Sequence, residues 1–99
     1  MSKIVWTPEA AGEVLSLRAF DRRILLDSVR EHLSEGPNVP SRRRKRIRGL
    51  VPPWGSAEPF RELRVRLYRV FYDVAERHQE VHVRAVRFKP LGARTEDIL

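Results

Sequence analysis

The side chains of this 99-residue chain best suited to chemistry are lysines and arginines gathered in one window. Residues 41–70 hold ten Lys or Arg and only two acids, Glu58 and Glu62. Residues 1–40 carry five basic and six acidic side chains, and residues 71–99 carry five of each. The window therefore accounts for all of the net charge of +7. Such a concentration predicts a surface that faces a polyanion, either nucleic acid or an acidic polypeptide.

The basic residues fall into two clusters. The first precedes the predicted sheet and comprises Arg42, Arg43, Arg44, Lys45, Arg46 and Arg48. The second lies on the predicted strands and comprises Arg61, Arg64, Arg66, Arg69, Arg84, Arg87 and Lys89. Arginines on neighbouring strands form a fixed array suited to phosphate oxygens. They remain charged at any physiological pH, so we expect them to stabilise negative charge and not to accept protons.

Both clusters also have a purely structural interpretation. A run of five basic residues at 42–46 cannot all face a core, so it is also consistent with a solvated linker or a nonspecific phosphate contact. The sheet arginines are alternatively partners in cross-strand ion pairs, and Glu62 is predicted to pair with Arg69. Neighbouring arginines stabilise the ionised form of a carboxylate, which favours the ion pair over a general-base role for Glu62.

Few other side chains near the predicted sheet can transfer a proton: Lys45, Lys89, His82, Tyr68, Tyr72 and Glu62. The three histidines are scattered and show no metal-ligand spacing, so neither a metal nor another cofactor is predicted. Phe88 adjoins Lys89 and is the candidate for stacking on a nucleic acid base. Trp6 and Trp54 are predicted to be packing residues.

The first half of the chain predicts a strand and two helices. Lys3 to Trp6 is a β-branched and aromatic run typical of a strand. Thr7 and Pro8 then provide an N-cap and a first helical residue, so a helix is expected from Pro8 to about Ala19. A second helix is expected from Asp21, where apolar residues follow helical spacing, until Gly36-Pro37 ends it.

The second half predicts strands. Residues 59–74 are rich in β-branched and aromatic side chains but are too long for one ordinary strand, so they are expected to fold back near Val65 to Leu67. A two-residue loop at Val65-Arg66 would place Glu62 opposite Arg69. Residues 75–80 are predicted to be a second hairpin loop, with Val81, Val83 and Ala85 on one face of a third strand. Residues 95–99 are predicted to form a capped turn that docks on the core.

Together these elements predict an α+β fold: an N-terminal strand, a helical hairpin, and then an antiparallel sheet covered on one face by the helices. At 41% hydrophobic residues, the chain is expected to form a single domain over residues 1–99. The absence of cysteine excludes disulfides, thiolate metal sites and a cysteine nucleophile, and favours a reducing cytoplasm. No apolar stretch approaches the ~20 residues that a membrane span needs.

Three motifs carry a resemblance to a known family. They are the hairpin motif Leu-Arg-Val-x-x-Tyr-Arg-Val-x-Tyr, the upstream Arg-Lys-Arg-Ile-Arg-Gly-Leu, and the closing Lys-Pro with Thr-Glu-Asp-Ile-Leu. Over essentially its whole length, the chain resembles the RelE/ParE toxins of bacterial type II toxin–antitoxin systems. The resemblance implies the same order of strand, helical hairpin and small sheet. It also implies a cognate antitoxin that masks the basic surface, with operator DNA contacted only through that antitoxin.

Two mechanisms are implied by the resemblance. RelE-like toxins are metal-independent endoribonucleases that cleave messenger RNA in the ribosomal A site, and ParE-like toxins inhibit DNA gyrase without such catalysis. The expected function is the first, with gyrase inhibition as the alternative. For cleavage, the resemblance assigns the scissile phosphate to Arg64, Arg69 and Lys89. Contacts with RNA or the ribosome are expected from Arg42, Arg43, Arg44, Lys45, Arg46, Arg48, Arg61, Arg87 and Phe88.

The chain departs from the ribonuclease pattern at three points. Glu62 stands where well-known ribonuclease members carry lysine, and Arg66 replaces a glycine usual at the hairpin bend. No Tyr or His follows His82, although such members often have one near the C-terminus. These departures concern the ribonuclease chemistry and not the fold.

Overall fold

The fold is described by a computed structural model over residues 1–55 and 60–99. Glu58 and Pro59, which belong to the basic window and to the predicted start of a strand, lie outside the described residues. The described elements, in chain order, are β1 (Lys3–Trp6), α1 (Pro8–Leu15), α2 (Ala19–Leu33), β2 (Arg44–Arg46), β3 (Arg61–Val65), β4 (Tyr68–Ala75), a 3-10 turn (Glu76–His78), β5 (Glu80–Phe88) and α3 (Thr95–Ile98).

The strands form one five-stranded sheet in the order β1-β5-β4-β3-β2. Its antiparallel part is as predicted, but β1 pairs with β5 in parallel, so the sheet is mixed and not antiparallel throughout. Parallel neighbours need a long crossover, and the chain between β1 and β5 provides one. The α+β class and the order of strand, helical hairpin and sheet are confirmed.

Helix α1 is shorter than expected, and helix α2 both begins and ends about two residues earlier than expected. The Thr7 hydroxyl caps α1 by accepting from Ala10 N at 3.2 Å, and it donates to the Val83 carbonyl at 3.0 Å, which ties the helix start to β5. Helix α1 ends at Leu15 and not near Ala19, because the Ser16 hydroxyl and amide both turn back to carbonyls of the last helical turn. Helix α2 then begins two residues earlier than predicted.

Apolar side chains pack on both faces of the sheet. The larger cluster lies between the helices and one face, and it includes Leu25, Val29, Leu33, Val70, Tyr72 and Val83. A second cluster on the other face consists of Phe60, Phe71 and Ala85, covered by Ile47, Leu50, Trp54, Ile98 and Leu99. The predicted docking of the C-terminal turn is thus confirmed. The helical hairpin covers one face as predicted, and the other face is covered by the segment that holds Ile47, Leu50 and Trp54 together with the C-terminal turn.

An irregularity between β4 and β5 moves one residue to the opposite face. The register passes from Phe71 opposite Ala85 to Tyr72 opposite Val83, so β5 carries one extra residue at this point. Ala85 therefore joins the second cluster instead of sharing a face with Val81 and Val83, as strict alternation predicted. The bulge was not visible in the sequence pattern because no glycine marks it.

The hairpin between β3 and β4 bends at Arg66-Leu67, with Val65 opposite Tyr68. This lies inside the predicted bend region but one residue beyond the two-residue loop considered. Consequently Arg64 pairs with Arg69 in the ladder, and Glu62 pairs with Phe71. Within residues 1–55 and 60–99, none of the helices has the length and apolar character that crossing a membrane requires.

Candidate functional site

The register brings three basic residues into one line across the sheet. Arg64 on β3 lies opposite Arg69 on β4, and Arg69 lies opposite Arg87 on β5. Only Arg64 is exposed, whereas Arg69 is 8% exposed and Arg87 is half-buried. The predicted array of free guanidinium groups is therefore not present, because Arg69 and Arg87 bind partners within the protein.

Arg69 stabilises the bend of the β3–β4 hairpin. One terminal nitrogen of its guanidinium donates to the Arg66 and Tyr68 carbonyls at 2.8 Å each. Burial lowers the pKa of Arg69, the Glu62 carboxylate opposes that shift, and the Arg64 charge adds to it. Such a group still carries its proton at any physiological pH, so Arg69 acts as a fixed internal cation.

Glu62 is buried between two cations. Its side chain is 2% exposed, its Oε1 lies 3.8 Å from Arg69 Nε, and its Oε2 lies 3.7 Å from Lys45 Nζ. The predicted Glu62–Arg69 pair is present, although the residues are diagonal and not directly opposite. The 3.8 Å separation exceeds a hydrogen bond, and among the described residues neither Glu62 Oε1 nor Arg69 Nε has another partner.

Arg87 joins three elements. It forms an ion pair with Glu13 of α1, and its Nε donates to the Ile98 carbonyl of α3 at 3.0 Å. The other oxygen of Glu13 accepts from Val86 N at 3.0 Å, at the edge of β5 that extends beyond the end of β1. A residue predicted to contact RNA thus has an internal structural role.

Arg44 caps the C-terminal end of α2. Its NH1 donates to the carbonyls of His32 and Gly36 at 2.8 Å and of Glu35 at 3.3 Å. The last carbonyls of a helix lack intrahelical donors, and a guanidinium satisfies several of them together. This contact helps to hold Arg44–Arg46 against β3 as the edge strand β2, so this part of the basic run is not the solvated linker that one interpretation of the sequence allowed.

Four arginines remain together in a groove beside α2. Arg42, Arg43, Arg64 and Arg66 line it, and the rest of the lining comes from Ile24, Ser28 and Val65. The groove encloses about 630 Å³. It contains no carboxylate, histidine or tyrosine among the described residues. All four belong to the two predicted basic clusters, and Arg66 alone had not been assigned a specific phosphate or RNA contact.

A second cavity, of about 560 Å³, lies beside the far end of β4. Arg46 and Arg61 line it and share no pocket with the groove arginines. Its floor contains Asp73, which is bound by Arg84 at 3.0 Å and approached by His82 at 3.8 Å. The predicted nucleic acid contacts are therefore not gathered in one place: Arg42 and Arg43 line the groove, whereas Arg46 and Arg61 line this cavity.

Two exposed aromatic rings, Phe20 of α2 and Phe88 of β5, lie beside the tip of the β3–β4 hairpin. Phe20 is 64% exposed, and the Arg66 guanidinium lies 5.8 Å from the centre of its ring. Phe88, 52% exposed, contacts Tyr68 edge to face at 5.7 Å. Phe88 was predicted to be an exposed stacking residue, whereas no functional role was predicted for Phe20. The available signal was that Phe20 falls outside the apolar face of α2.

Tyr68 is held in its protonated form. Its hydroxyl donates to Asp21 at 3.1 Å, and burial, followed by this hydrogen bond and the negative charge of Asp21, raises its pKa. Burial likewise raises the pKa of Tyr72 to about 12, and its hydroxyl donates to the Pro37 carbonyl at 2.9 Å. Neither phenol is poised to accept a proton at neutral pH.

Lys89 and Arg48 complete the predicted set. The Lys89 backbone amide donates to the Leu67 carbonyl at 2.6 Å, and its side chain is half-buried at the hairpin tip. Arg48 is exposed and lines a shallow depression beside Thr95 and Glu96 of α3. Within residues 1–55 and 60–99, no group of three His, Asp or Glu side chains is close enough to hold a metal ion.

Comparison with protein families matches the chain over most of its length. A family model described as "ParE toxin of type II toxin-antitoxin system, parDE" covers residues 4–88. The chain belongs to the ParE toxin family. It is therefore a toxin of a type II toxin–antitoxin system, and the resemblance seen in the sequence is confirmed. A search of curated proteins finds no match to this ParE-family chain.

Solved structures share the fold of this ParE-family toxin. The archaeal RelE–RelB complex from Pyrococcus horikoshii OT3 has a TM-score of 0.68 at 18% identity, covering 94% of this chain and 98% of the other. The toxin–antitoxin complex RelBE2 from Mycobacterium tuberculosis has a TM-score of 0.69 at 18% identity, covering 89% and 98%. The intact RelBE complex from E. coli has a TM-score of 0.59 at 21% identity, covering 91% and 98%.

The arrangement suits binding of anions more than proton transfer. RNA cleavage through the 2′-hydroxyl needs a base for that hydroxyl and an acid for the leaving oxygen. In this ParE-family toxin, the basic groove provides fixed positive charge, while Glu62 is buried beside Arg69, and His82 lies in the other cavity. Fixed positive charge of this kind supplies electrostatic recognition of an anionic partner.

Proposed function

We propose that this toxin acts by binding, as an inhibitor of DNA gyrase, and that a cognate antitoxin blocks it. The observation that carries the proposal is the composition of the groove at Arg42, Arg43, Arg64 and Arg66, whose described lining contains no proton-transfer group. A groove of fixed cations fits an acidic surface of a protein target. The match to the ParE family model supports the same choice.

A supercoiling assay with purified gyrase and a cell-free translation reaction with primer-extension readout test this function together. We expect inhibition of supercoiling and intact messenger RNA. Lys89→Ala is expected to keep the inhibition, because Lys89 lies outside the groove. Arg42→Glu combined with Arg64→Glu reverses two exposed charges in the groove and is expected to weaken inhibition at least tenfold. Unimpaired supercoiling with the wild-type protein would refute gyrase as the target.

Ribosome-dependent cleavage of messenger RNA is the second candidate. The observation that favours it is the exposure of Arg64 together with that of Phe88, a cation for phosphate and a ring for base stacking. This function predicts defined cleavage products in the primer-extension readout. It also predicts RNA affinity that falls steeply with salt, because binding releases counterions from the phosphates. Intact messenger at toxin concentrations that inhibit supercoiling argues against it.

The antitoxin is proposed as the physiological partner. The three structural relatives described above are complexes of RelE-type toxins with their antitoxins. The net charge of +7 favours an acidic antitoxin segment over the basic groove, and operator DNA is then reached only through the antitoxin. Expression of the toxin alone in the bacterial cytoplasm is expected to arrest cell growth. Coexpression of the neighbouring antitoxin gene is expected to restore growth. Growth without arrest in both cases contradicts the pairing.

A further inference from the structure

The tip of the β3–β4 hairpin holds an arginine in a backbone conformation that favours glycine. Arg66 has a φ of 55°, and among the described residues the only other non-glycine residue with positive φ is Gln79, at 50°. Side chains other than glycine adopt this region at a cost in free energy, since Cβ approaches the backbone. Strain of this kind persists where surrounding contacts impose it, and it concentrates at functional positions.

Several hydrogen bonds impose the conformation of the tip. The Arg69 guanidinium donates to the Arg66 and Tyr68 carbonyls at 2.8 Å each, and the Lys89 amide donates to the Leu67 carbonyl at 2.6 Å. The Arg66 side chain is exposed and its guanidinium lies 5.8 Å from the centre of the Phe20 ring. The tip is therefore a preorganised element that presents a defined arginine.

Exposed apolar side chains surround this arginine. Phe20 is 64% exposed, Leu67 39% and Phe88 52%, although each is large and apolar. Arg66 lies over the ring of Phe20, Leu67 follows Arg66 in the turn, and Phe88 packs against Tyr68, the next residue of the hairpin. Aromatic side chains combined with arginine are typical of the energetic centres of protein–protein interfaces.

The surroundings of the tip are positively charged. Arg18 and Arg66 carry positive charge here, and the Asp21 carboxylate is bound by Arg18 at 3.3 Å and by the Tyr68 hydroxyl at 3.1 Å. A second copy of this chain would bring like charges together, which disfavours a self-interface. The apolar Leu67 and the positive charge together favour an acidic protein surface with an apolar side chain, and stacking of the exposed rings on nucleic acid bases is the competing outcome that the test separates.

We propose that the tip surface, defined as Phe20, Arg66, Leu67 and Phe88, is the place where the toxin docks on an acidic protein surface of its target that presents an apolar side chain. This inference rests on the proposed binding function and adds a contact surface that adjoins the four-arginine groove. Arg66 belongs to both, so it links the charged groove to the apolar tip.

The decisive comparison uses two glycine substitutions at matched backbone positions. Arg66→Gly and Gln79→Gly each relieve a positive φ, so both variants are expected to fold with a melting temperature at or above that of the wild type. Arg66→Gly is expected to raise the concentration for half-inhibition of supercoiling at least tenfold and to relieve growth arrest. Gln79→Gly, which lies at the opposite end of β4, is expected to change neither. Phe20→Ala removes an exposed ring and is expected to resemble Arg66→Gly.

The outcomes separate this inference from the proposed function. If the wild type arrests growth but leaves supercoiling intact, gyrase is the wrong target, and the growth readout still tests the tip. Retention of full growth arrest by both Arg66→Gly and Phe20→Ala overturns the docking inference. Loss of binding to a labelled RNA oligonucleotide in parallel with loss of toxicity also overturns it, in favour of a nucleic acid surface. A wild-type protein that never arrests growth overturns both proposals.

Discussion

Replacing Glu62 with glutamine tests whether the buried pair with Arg69 stabilises the fold. Glu62 is 2% exposed and Arg69 8%, and their charged atoms lie 3.8 Å apart. With an effective dielectric constant of about 20, two unit charges at that distance attract by about 4 kcal/mol. Removing one partner of a buried pair costs about 3–5 kcal/mol in measured cases, because the other charge stays buried without compensation. We therefore expect Glu62→Gln to lower the free energy of unfolding by about 4 kcal/mol.

That loss is large for this chain. Domains of its size have unfolding free energies of about 5–15 kcal/mol, so the variant keeps its fold with a much smaller margin. Urea unfolding followed by far-UV circular dichroism measures the change directly. The matched control is Glu96→Gln, because Glu96 pairs with Arg94 at 3.5 Å through side chains that are 48% and 78% exposed. An exposed pair of this kind contributes about 0–1 kcal/mol.

A double-mutant cycle isolates the interaction. Arg69→Met alone also removes the hydrogen bonds to the Arg66 and Tyr68 carbonyls, so its cost includes the loss of the turn contacts. The double variant with Glu62→Gln leaves no isolated buried charge, and we expect its cost to fall below the sum of the single costs by about 2 kcal/mol or more. A loss under about 1 kcal/mol for Glu62→Gln, or additive costs in the cycle, would refute the reasoning.

Three further predictions concern side chains that the structure engages internally. Arg44→Met removes the donor to three carbonyls at and just after the end of α2. We expect it to lower the free energy of unfolding in urea by about 1–3 kcal/mol. The control Arg46→Met changes an exposed position of the same strand and is expected to lower it by under about 0.5 kcal/mol. Burial raises the pKa of Tyr72 from 10.0 to about 12. The protonated phenol therefore contributes about 3 kcal/mol to the free energy of unfolding, a contribution that is complete below pH 10 and is lost as the pH rises toward 12. Tyr72→Phe is expected to flatten the decline of stability between pH 10 and 12, and an unchanged alkaline unfolding curve would contradict this. Glu13→Gln removes the ionic partner of Arg87 and is expected to lower the melting temperature. Arg87→Met also loses the hydrogen bond to the Ile98 carbonyl, so the fall in the double variant is expected to be smaller than the sum of the two single falls. Equal melting temperatures of wild type and Glu13→Gln would show that this pair contributes nothing.

The elements of this fold could be predicted from local sequence patterns. Thr7 and Pro8 begin α1 as predicted, and the third strand and the terminal turn also lie where expected. Capping residues, proline and apolar periodicity act over a few neighbouring residues, so they are visible in the chain itself. Strand β2 was missed because its three residues, Arg44–Arg46, have little intrinsic preference for a strand. They adopt one because β3 offers backbone partners and α2 offers carbonyls to Arg44.

The candidate site was predicted less well than the fold. Basic residues were located correctly along the chain, but their partners depend on contacts between residues far apart in sequence. Glu13 reaches Arg87 because α1 lies beside the free edge of β5, and this proximity has no signature in either segment. The one-residue shift of the hairpin bend likewise decided which residues oppose Arg64 and Glu62.

The amino-acid sequence by itself determined the fold class, the family and the presence of an excess of positive charge, because composition and short-range pattern are properties of neighbouring residues. Only the tertiary structure decided which cations are free. Arg69, Arg87 and Arg44 find internal acceptors, and Arg42, Arg43, Arg64 and Arg66 remain together in a groove. The physical reason is that a buried charge must find a partner, and the available partners are set by how the helices and strands pack against one another.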